Sequence, residues 1–328
     1  MDNSNSNDKK YDLIKIYEDF AHERDHQPPT KVSYRKVINT FTKNTSITRV
    51  DQITKEVILL WRDAVVERSS KSTFNSYRRH LLSILNYCVE IELIENNPIQ
   101  KVKQYTHVGG RKKGCSKKDL NTLIHFLRND WRNLSYFFLM IVVTLYFTGI
   151  RRSQLCGLIW HDIDFKENLI LLRKTHSKSR KEWKIPLHSE LRPYLLDMKM
   201  DTMEQFEDFR EDDQIFMVQR YSSEYVGDRL LPDQLTGIMR RISTRSGVKI
   251  SAHMIRHLVA TLLSNRDDGE EYRNGEIPHT LNGIQEFLGH ANIATTIAYI
   301  EPSIALQRKV IKSLDLKLEF EEMKKRKS

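Results

Sequence analysis

Apolar residues recur at helical spacing along the N-terminal third of the chain. Between residues 11 and 21 they form one stripe, made by Leu13, Ile14, Ile16, Tyr17 and Phe20. Similar stripes at 32–41, 57–66 and 72–93 predict three further helices. Pro28 and Pro29 are expected to break the chain between the first two helices. We therefore predict a helical domain at 9–104, after a disordered tail at 1–8.

The pattern changes after residue 104. Residues 105–118 contain three glycines and five lysines or arginines but no acidic residue, which predicts a basic linker at 105–115. Ser116 and Asp119 then have the spacing of a helix N-cap pair. An apolar stretch at 136–147 predicts a buried helix.

The rest of the chain mixes helical and strand-like patterns. Apolar stretches at 169–173 and 183–187 predict two strands joined by the basic segment 174–181, and a third strand is predicted at 248–250. Helices are predicted at 151–159, 189–198, 232–246, 253–265 and 284–288. The fold class is therefore mainly α with a small β-sheet, in two domains: the helical one and a mixed α/β one at 116–302. A helix-prone tail follows at 303–328.

Composition and charge narrow the choice of partner. The 328 residues include 53 Lys+Arg against 43 Asp+Glu, a formal charge of +10 that is compatible with a polyanionic partner. The longest apolar run, 136–150, is too short to span a bilayer, and residues 1–10 lack the apolar core of a signal peptide. Three unpatterned cysteines suggest neither a disulfide framework nor a metal site and fit a reducing compartment. We expect a cytoplasmic protein without a membrane partner.

Four short motifs stand out in the second domain. They are TGIRRSQL at 148–155, KTHSKSRKEWKIPL at 174–187, HMIRH at 253–257 and LGHANIATTIAYI at 288–300. They resemble the boxes of the tyrosine recombinase (phage integrase) family and occur in that family's order. The resemblance covers about 116–302, and the helical domain stands in the place of that family's core-binding domain.

The residue types in these motifs suit phosphate chemistry. Cutting DNA without a metal requires stabilisation of extra negative charge on a phosphate group in the transition state. A guanidinium group is always charged and can bind two phosphate oxygens at once. Arg151 and Arg256 are the candidates, whereas Arg152 is interpreted as a surface charge.

The resemblance implies roles for three further catalytic residues. Tyr299, nine residues after His290, occupies the position of the family's nucleophile. Because a phenol has an ordinary pKa of about 10, its proton must be removed, or its anion stabilised, near the site. His290 resembles the histidine that hydrogen-bonds the scissile phosphate, and His253 resembles a group that assists proton transfer. His257 matches a structural histidine.

In this family a lysine on a β-hairpin protonates the leaving 5′-oxygen. Lys174 is preferred here because Thr175 follows it, as in a frequent KT pattern, and Lys178 is the alternative because its distance from Pro186 suits shorter hairpins. Other basic residues are expected to contact the DNA backbone. The DNA-binding candidates are Arg111, Lys112, Lys113, Lys117, Lys178 and Arg180.

No cofactor and no metal is expected. His253 and His257 have i,i+4 spacing, but they lack an acidic HExxH pattern and a convincing third ligand.

Two features depart from the family pattern. Gln154 stands where the family often has an acidic residue, which is expected to weaken the bracing of Arg151, although a glutamine can still accept hydrogen bonds. The polar insert 265–278 is interpreted as a surface loop.

The resemblance implies a site-specific recombinase or integrase that cuts and rejoins double-stranded DNA through a 3′-phosphotyrosyl intermediate. It implies a C-shaped clamp on DNA, a tetrameric synapse on two DNA sites, and exchange of the tail 303–328 between protomers. A mobile genetic element, a nucleoid-associated location and an accessory DNA-bending or directionality protein are further expectations. The alternatives are a type IB topoisomerase, a DNA-binding regulator that has lost catalysis, and a metal-dependent nuclease.

Overall fold

The chain forms two compact units, Met1–Lys112 and Lys113–Ser328. The computed structural model describes residues 11–106, 114–130, 134–174, 182–264 and 281–289. The predicted N-terminal tail, the insert 265–278 and the tail 303–328 lie outside these ranges, as does most of the linker. Within the described ranges, no helix combines the length and apolar character needed to cross a bilayer.

Four helices build the first unit. They are α1 (Leu13–Glu23), α2 (Pro28–Thr45), α3 (Lys55–Arg68) and α4 (Lys71–Glu90). Their core centres on the fully buried Trp61, which meets the rings of Phe41 and Phe74 edge-on, with centroids 5.2 and 5.7 Å away. The chain does break between α1 and α2, at residues 24–27, but Pro28 and Pro29 do not lie in that break. They form the first turn of α2, where a missing N–H costs nothing.

The second unit contains seven further described helices and a small sheet. The helices are α5 (Lys117–Asn129), α6 (Ser135–Thr148), α7 (Arg152–Leu155), α8 (Arg192–Gln205), α9 (Pro232–Ser246), α10 (Ala252–Ser264) and α11 (Leu281–Leu288). The predicted cap of α5 is confirmed, because Ser116 and Asp119 exchange side-chain and backbone hydrogen bonds. The predicted burial of α6 is confirmed as well, since most of its side chains lie in the core.

The sheet has three antiparallel strands in the order β1 (Ile163–Asp164), β2 (Leu169–Leu172) and β3 (Trp183–Pro186). Strands β2 and β3 confirm the two predicted at these positions. Their register pairs Ile170 with Ile185 and Leu172 with Trp183. Strand β1 was not predicted, because two residues are too few to show a period.

Two predicted elements of the second unit are wrong. Residues 248–250 do not form the predicted strand, because the Ser243 hydroxyl donates to the Val248 carbonyl and accepts from the Ile250 N–H. The predicted helix at 151–159 ends at Leu155, and Ile159 instead forms a β-bridge with Gln214. Local side-chain and tertiary hydrogen bonds therefore replace the regular structure that the apolar pattern suggested.

Candidate active site

Arg256 lies on α10 with only 4% of its surface exposed. Its Nη1 donates to the Gly149 carbonyl at 2.6 Å, and its Nη2 donates to the Leu288 carbonyl at 2.8 Å. Gly149 caps the C-terminus of α6, and Leu288 is the last residue of α11. Carbonyls at helix C-termini carry partial negative charge, so they suit a cation. The guanidinium group thus joins the ends of two helices to α10.

Arg151 lies at the N-cap of the short helix α7, two residues after Gly149. Its backbone N–H donates to Gln154 Oε1 at 2.9 Å, and its Nη2 donates to the Gly289 carbonyl at 3.3 Å. Gln154 is 2% exposed. The prediction that Gln154 can still accept a hydrogen bond is confirmed, and the group it holds is the backbone of Arg151.

The two arginines therefore meet one short piece of backbone. Arg256 binds the Leu288 carbonyl and Arg151 binds the Gly289 carbonyl, although the two arginines come from separate sequence motifs. We call the two arginines and the carbonyls of Gly149, Leu288 and Gly289 the arginine corner. Gly149 has φ +58°, and a Cβ there would lie 3.0 Å from Leu288 Cδ2. Only glycine allows the two helix ends to approach this closely without strain.

His253 and His257 form a pair on α10, one turn apart. Their Nε2 atoms are 2.8 Å apart, and their rings are perpendicular with centroids at 4.2 Å. Burial lowers the pKa of both imidazoles, and the nearby Arg256 adds to this effect. One nitrogen must donate and the other accept, so a single proton lies between them. The interpretation of His257 as a structural histidine is refined, because it is half-buried and its ring contacts His253.

Lys174 lies just beyond β2 and is exposed. The preceding Arg173 donates from Nε to Asp162 Oδ1 at 2.6 Å, and the Asp162 side chain is almost fully buried. This ion pair fixes the end of β2, whereas the Lys174 ammonium group extends into solvent. The structure brings Arg151 and Arg256 to adjacent carbonyls, and His253 lies near Arg256, one turn earlier on α10. Within the described ranges it records no hydrogen bond from Lys174 to these three residues.

Several predicted site residues lie outside the described ranges. These are His290 and Tyr299 of the catalytic set, and Arg111, Lys112, Lys113, Lys178 and Arg180 of the DNA-binding set. Lys117 is described and is exposed on the first turn of α5. Among the described residues, no group of three or more His, Cys, Asp or Glu side chains is placed to hold a metal ion.

Sequence reasoning missed the backbone of Leu288 and Gly289 and the side chain of Trp183. Gly289 has φ +61°, and a Cβ built on it would overlap the Trp183 indole. The glycine of the LGH motif was a usable signal, since a glycine directly before a candidate catalytic histidine indicates a backbone turn or a close approach. Trp183 gave no signal of its own, because it read as an ordinary strand residue.

The first unit carries a basic groove of about 590 Å³ between α2, α3 and α4. Its charged residues are Arg35, Lys36, Lys43 and Arg68, and all four are exposed. Asn39, Asn44 and Tyr77 add polar groups to the same walls. Arg35 also pairs with Glu18 at 2.7 Å. The groove therefore offers positive charge and hydrogen-bonding side chains on one face of the helical unit.

Known proteins share the sequence pattern of this chain. The sequence model of the phage integrase family matches residues 115–305, which is more than half of the chain. The chain is 29% identical to a putative tyrosine recombinase XerC of Pseudomonas syringae over 92% of its own length and 64% of the relative's length. It is 27% identical to a putative tyrosine recombinase XerC of Pseudomonas aeruginosa, over 90% of this chain and 70% of that one. The chain thus spans about two thirds of the length of these relatives.

A solved structure supports the fold. The Tn1549 transposon integrase, determined in complex with a circular intermediate DNA, superposes with a TM-score of 0.73 at 18% identity and covers 93% of this chain and 100% of that chain. Together with the family match, the motifs and the arginine corner, this shows that the chain belongs to the phage integrase family.

Proposed function

We propose that the chain is a site-specific DNA recombinase that cuts and rejoins duplex DNA through a 3′-phosphotyrosyl intermediate. The arginine corner is the observation that supports this most directly. Arg151 and Arg256 donate to adjacent carbonyls, and His290 is the next residue in the sequence. Two guanidinium groups fixed in one place suit a phosphate group that gains negative charge in the transition state.

In the proposed reaction, the Tyr299 oxygen attacks the scissile phosphorus and the bond to the 5′-oxygen breaks. The lowered pKa of His253 keeps its imidazole mainly neutral at neutral pH, so it is able to accept a proton during activation of the tyrosine. The ammonium group of Lys174, or alternatively of Lys178, gives a proton to the leaving oxygen. Attack by a 5′-hydroxyl reverses these steps, so that rejoining requires no ATP.

DNA binding is proposed for both units. The basic groove of the first unit would contact the phosphate backbone through Lys36, Lys43 and Arg68. Lys117, Lys178 and Arg180 of the second unit would do the same, as would the basic residues at 111–113, where the sequence passes from the first unit to the second. Because each neutralised phosphate releases counterions, affinity should fall steeply with salt concentration.

The proposal extends to assembly and origin. Four protomers on two DNA sites would form the synapse, with the tail 303–328 exchanged between neighbours and an accessory DNA-bending or directionality protein as a further partner. A mobile genetic element is the proposed source, and the protein would act in the cytoplasm at the nucleoid. The similarity to a transposon integrase supports the proposed source in a mobile element.

Covalent capture tests the proposal. The protein is incubated with fragmented genomic DNA of its host, and fragments that stay attached after denaturation are sequenced. A duplex with the captured sequence, nicked close to the cleavage point, then serves as a substrate that traps the covalent complex. We expect wild-type protein to become attached through Tyr299, as mapped by peptide analysis, and Tyr299→Phe to give no complex.

Tyr194→Phe is the matched control, because Tyr194 is an exposed tyrosine of α8 and should behave as wild type. Attachment through a different residue would contradict the assignment. Cutting that stops in EDTA would favour a metal-dependent nuclease. If a Tyr299→Phe protein kept every measured activity, the chain would be a regulator, and relaxation of supercoils without strand exchange would favour a type IB topoisomerase.

A further inference from the structure

The Trp183 side chain on β3 packs against the turn that ends α11. A Cβ built on Gly289 would lie within 3.0 Å of three indole atoms, so the indole occupies the space that any side chain at residue 289 would need. Trp183 is half-buried and packs against the core of the second unit. Among the described residues, its Nε1 has no hydrogen-bond partner. The contact is therefore one of packing.

The same turn is part of the arginine corner. The Gly289 carbonyl accepts from Arg151 Nη2, and its N–H donates to the Glu286 carbonyl at 3.0 Å. With φ +61°, this backbone has a conformation that side chains disfavour. Trp183 thus rests on the piece of backbone that Arg151 binds and that leads directly to His290.

Trp183 also stands at the base of the hairpin. It is the first residue of β3, and it pairs with Leu172, the last residue of β2. Lys174 comes two residues after Leu172, and Lys178 lies in sequence between Leu172 and Trp183. Lys174 therefore lies two residues beyond the paired end of the sheet, and Lys178 falls in the sequence that joins β2 to β3.

We propose that Trp183 is a positioning residue, which fixes the base of the lysine-bearing hairpin against the Gly289 turn and so sets the distance between the general acid and the arginine corner. The inference rests on the proposed function, since it assumes that a hairpin lysine protonates the leaving oxygen. It holds for either lysine. A displacement of about 1 Å in such a group is able to slow a reaction roughly hundredfold.

A sulfur-substituted substrate tests this role. The captured duplex is prepared with its 5′-bridging oxygen at the cleavage point, and again with sulfur there, because a thiolate leaves without needing a proton. We expect Trp183→Ala to cleave the oxygen substrate roughly hundredfold more slowly than wild type. On the sulfur substrate the loss should be smaller by about an order of magnitude, because general acid catalysis normally contributes about 10²–10⁴-fold. Trp183→Phe keeps a ring, so its cleavage rate on the oxygen substrate should lie between those of wild type and Trp183→Ala.

Phe165→Ala is the matched control, because Phe165 is a half-buried ring in the same core that follows β1. Its losses should be equal on both substrates. An equal loss on both substrates for Trp183→Ala and Trp183→Phe would overturn the positioning role. The proposed function would still stand in that case if wild-type protein cleaved both substrates and Tyr299→Phe cleaved neither. Should Trp183→Ala fail to fold, Trp183→Phe alone decides between these outcomes.

A double variant tests the contact itself. Gly289→Ala should lose cleavage because its Cβ meets the indole, and Trp183→Ala combined with Gly289→Ala should recover part of that loss. The non-additivity measures the coupling between the two residues. If the double variant lost as much as the two single losses combined, the contact would play no part in positioning.

Discussion

Helix α10 carries two sets of side chains that are held in different ways. Arg256 is buried and bound by carbonyls from Gly149 and Leu288, which belong to distant parts of the chain. His253 and His257 bind each other through their Nε2 atoms, which are 2.8 Å apart. The arginine keeps its charge at every ordinary pH, whereas the histidines gain or lose theirs near neutrality. The arginine corner therefore supplies a fixed charge, and the histidine pair supplies a movable proton.

The largest effect should follow from Arg256→Lys. A lysine keeps the charge but has a single nitrogen, so it cannot reach the Gly149 and Leu288 carbonyls in the same way. We expect covalent complex formation to slow by roughly 10²–10³-fold. One carbonyl left without its partner would also cost about 1–3 kcal/mol of the free energy of unfolding.

Rapid-quench measurement of complex formation and a denaturant titration check both expectations. Arg152→Lys is the control, since the exposed Arg152 contacts Thr236 and Asp233 on the surface. Arg152→Lys should change the free energy of unfolding by no more than about 1 kcal/mol. If Arg256→Lys reacted at the wild-type rate, the fixed guanidinium would not be part of the reaction.

A smaller effect on the reaction is expected when Gly149 is replaced, because this change lowers the free energy of unfolding but removes no guanidinium group. Gly149→Ala places a Cβ against Leu288 and Val259. It should cost about 1–2 kcal/mol for the left-handed backbone and about 1–3 kcal/mol for overpacking. Gly247→Ala is a close control, because Gly247 caps α9 with φ +69° and has open space around it. Chemical denaturation of both variants gives the difference, and equal losses would show that the close approach of α6 and α11 matters little.

The smallest effect concerns pH and the histidine pair. Burial and Arg256 lower the pKa of His253 and His257 from the ordinary value of 6.5. The unfolded chain therefore takes up protons first as the pH falls through 6.5, and the free energy of unfolding should decrease below that pH. His257→Gln should make this decrease shallower, while His125→Gln, on the exposed face of α5, should not. Unchanged slopes in His257→Gln would contradict the assignment of the pair.

The residues of the arginine corner were predictable only in part. The side-chain chemistry of Arg151 and Arg256 follows from their residue types and motifs. Their partners do not, because every residue has a carbonyl group and only the tertiary fold selects Gly149, Leu288 and Gly289. The roles of His290, Tyr299 and the hairpin lysines stay predictions.

The fold was predictable where local signals agree. The capping pair of Ser116 and Asp119 marked the start of α5, and two apolar stretches marked β2 and β3. The strand predicted at 248–250 failed because the hydroxyl of Ser243, on the preceding helix, satisfies that backbone instead. Such a bond depends on how the chain turns after Gly247, which apolar spacing alone does not encode.

The two acceptors of Arg256 also have a consequence for the order in which the protein is made. Gly149 leaves the ribosome well before Arg256, but Leu288 follows Arg256 later. Until α11 has been synthesised, a growing chain therefore has only one of these two acceptors available for the guanidinium group. Assembly of the arginine corner is therefore a late event of synthesis, since a chain ending before α11 would lack the Leu288 and Gly289 carbonyls.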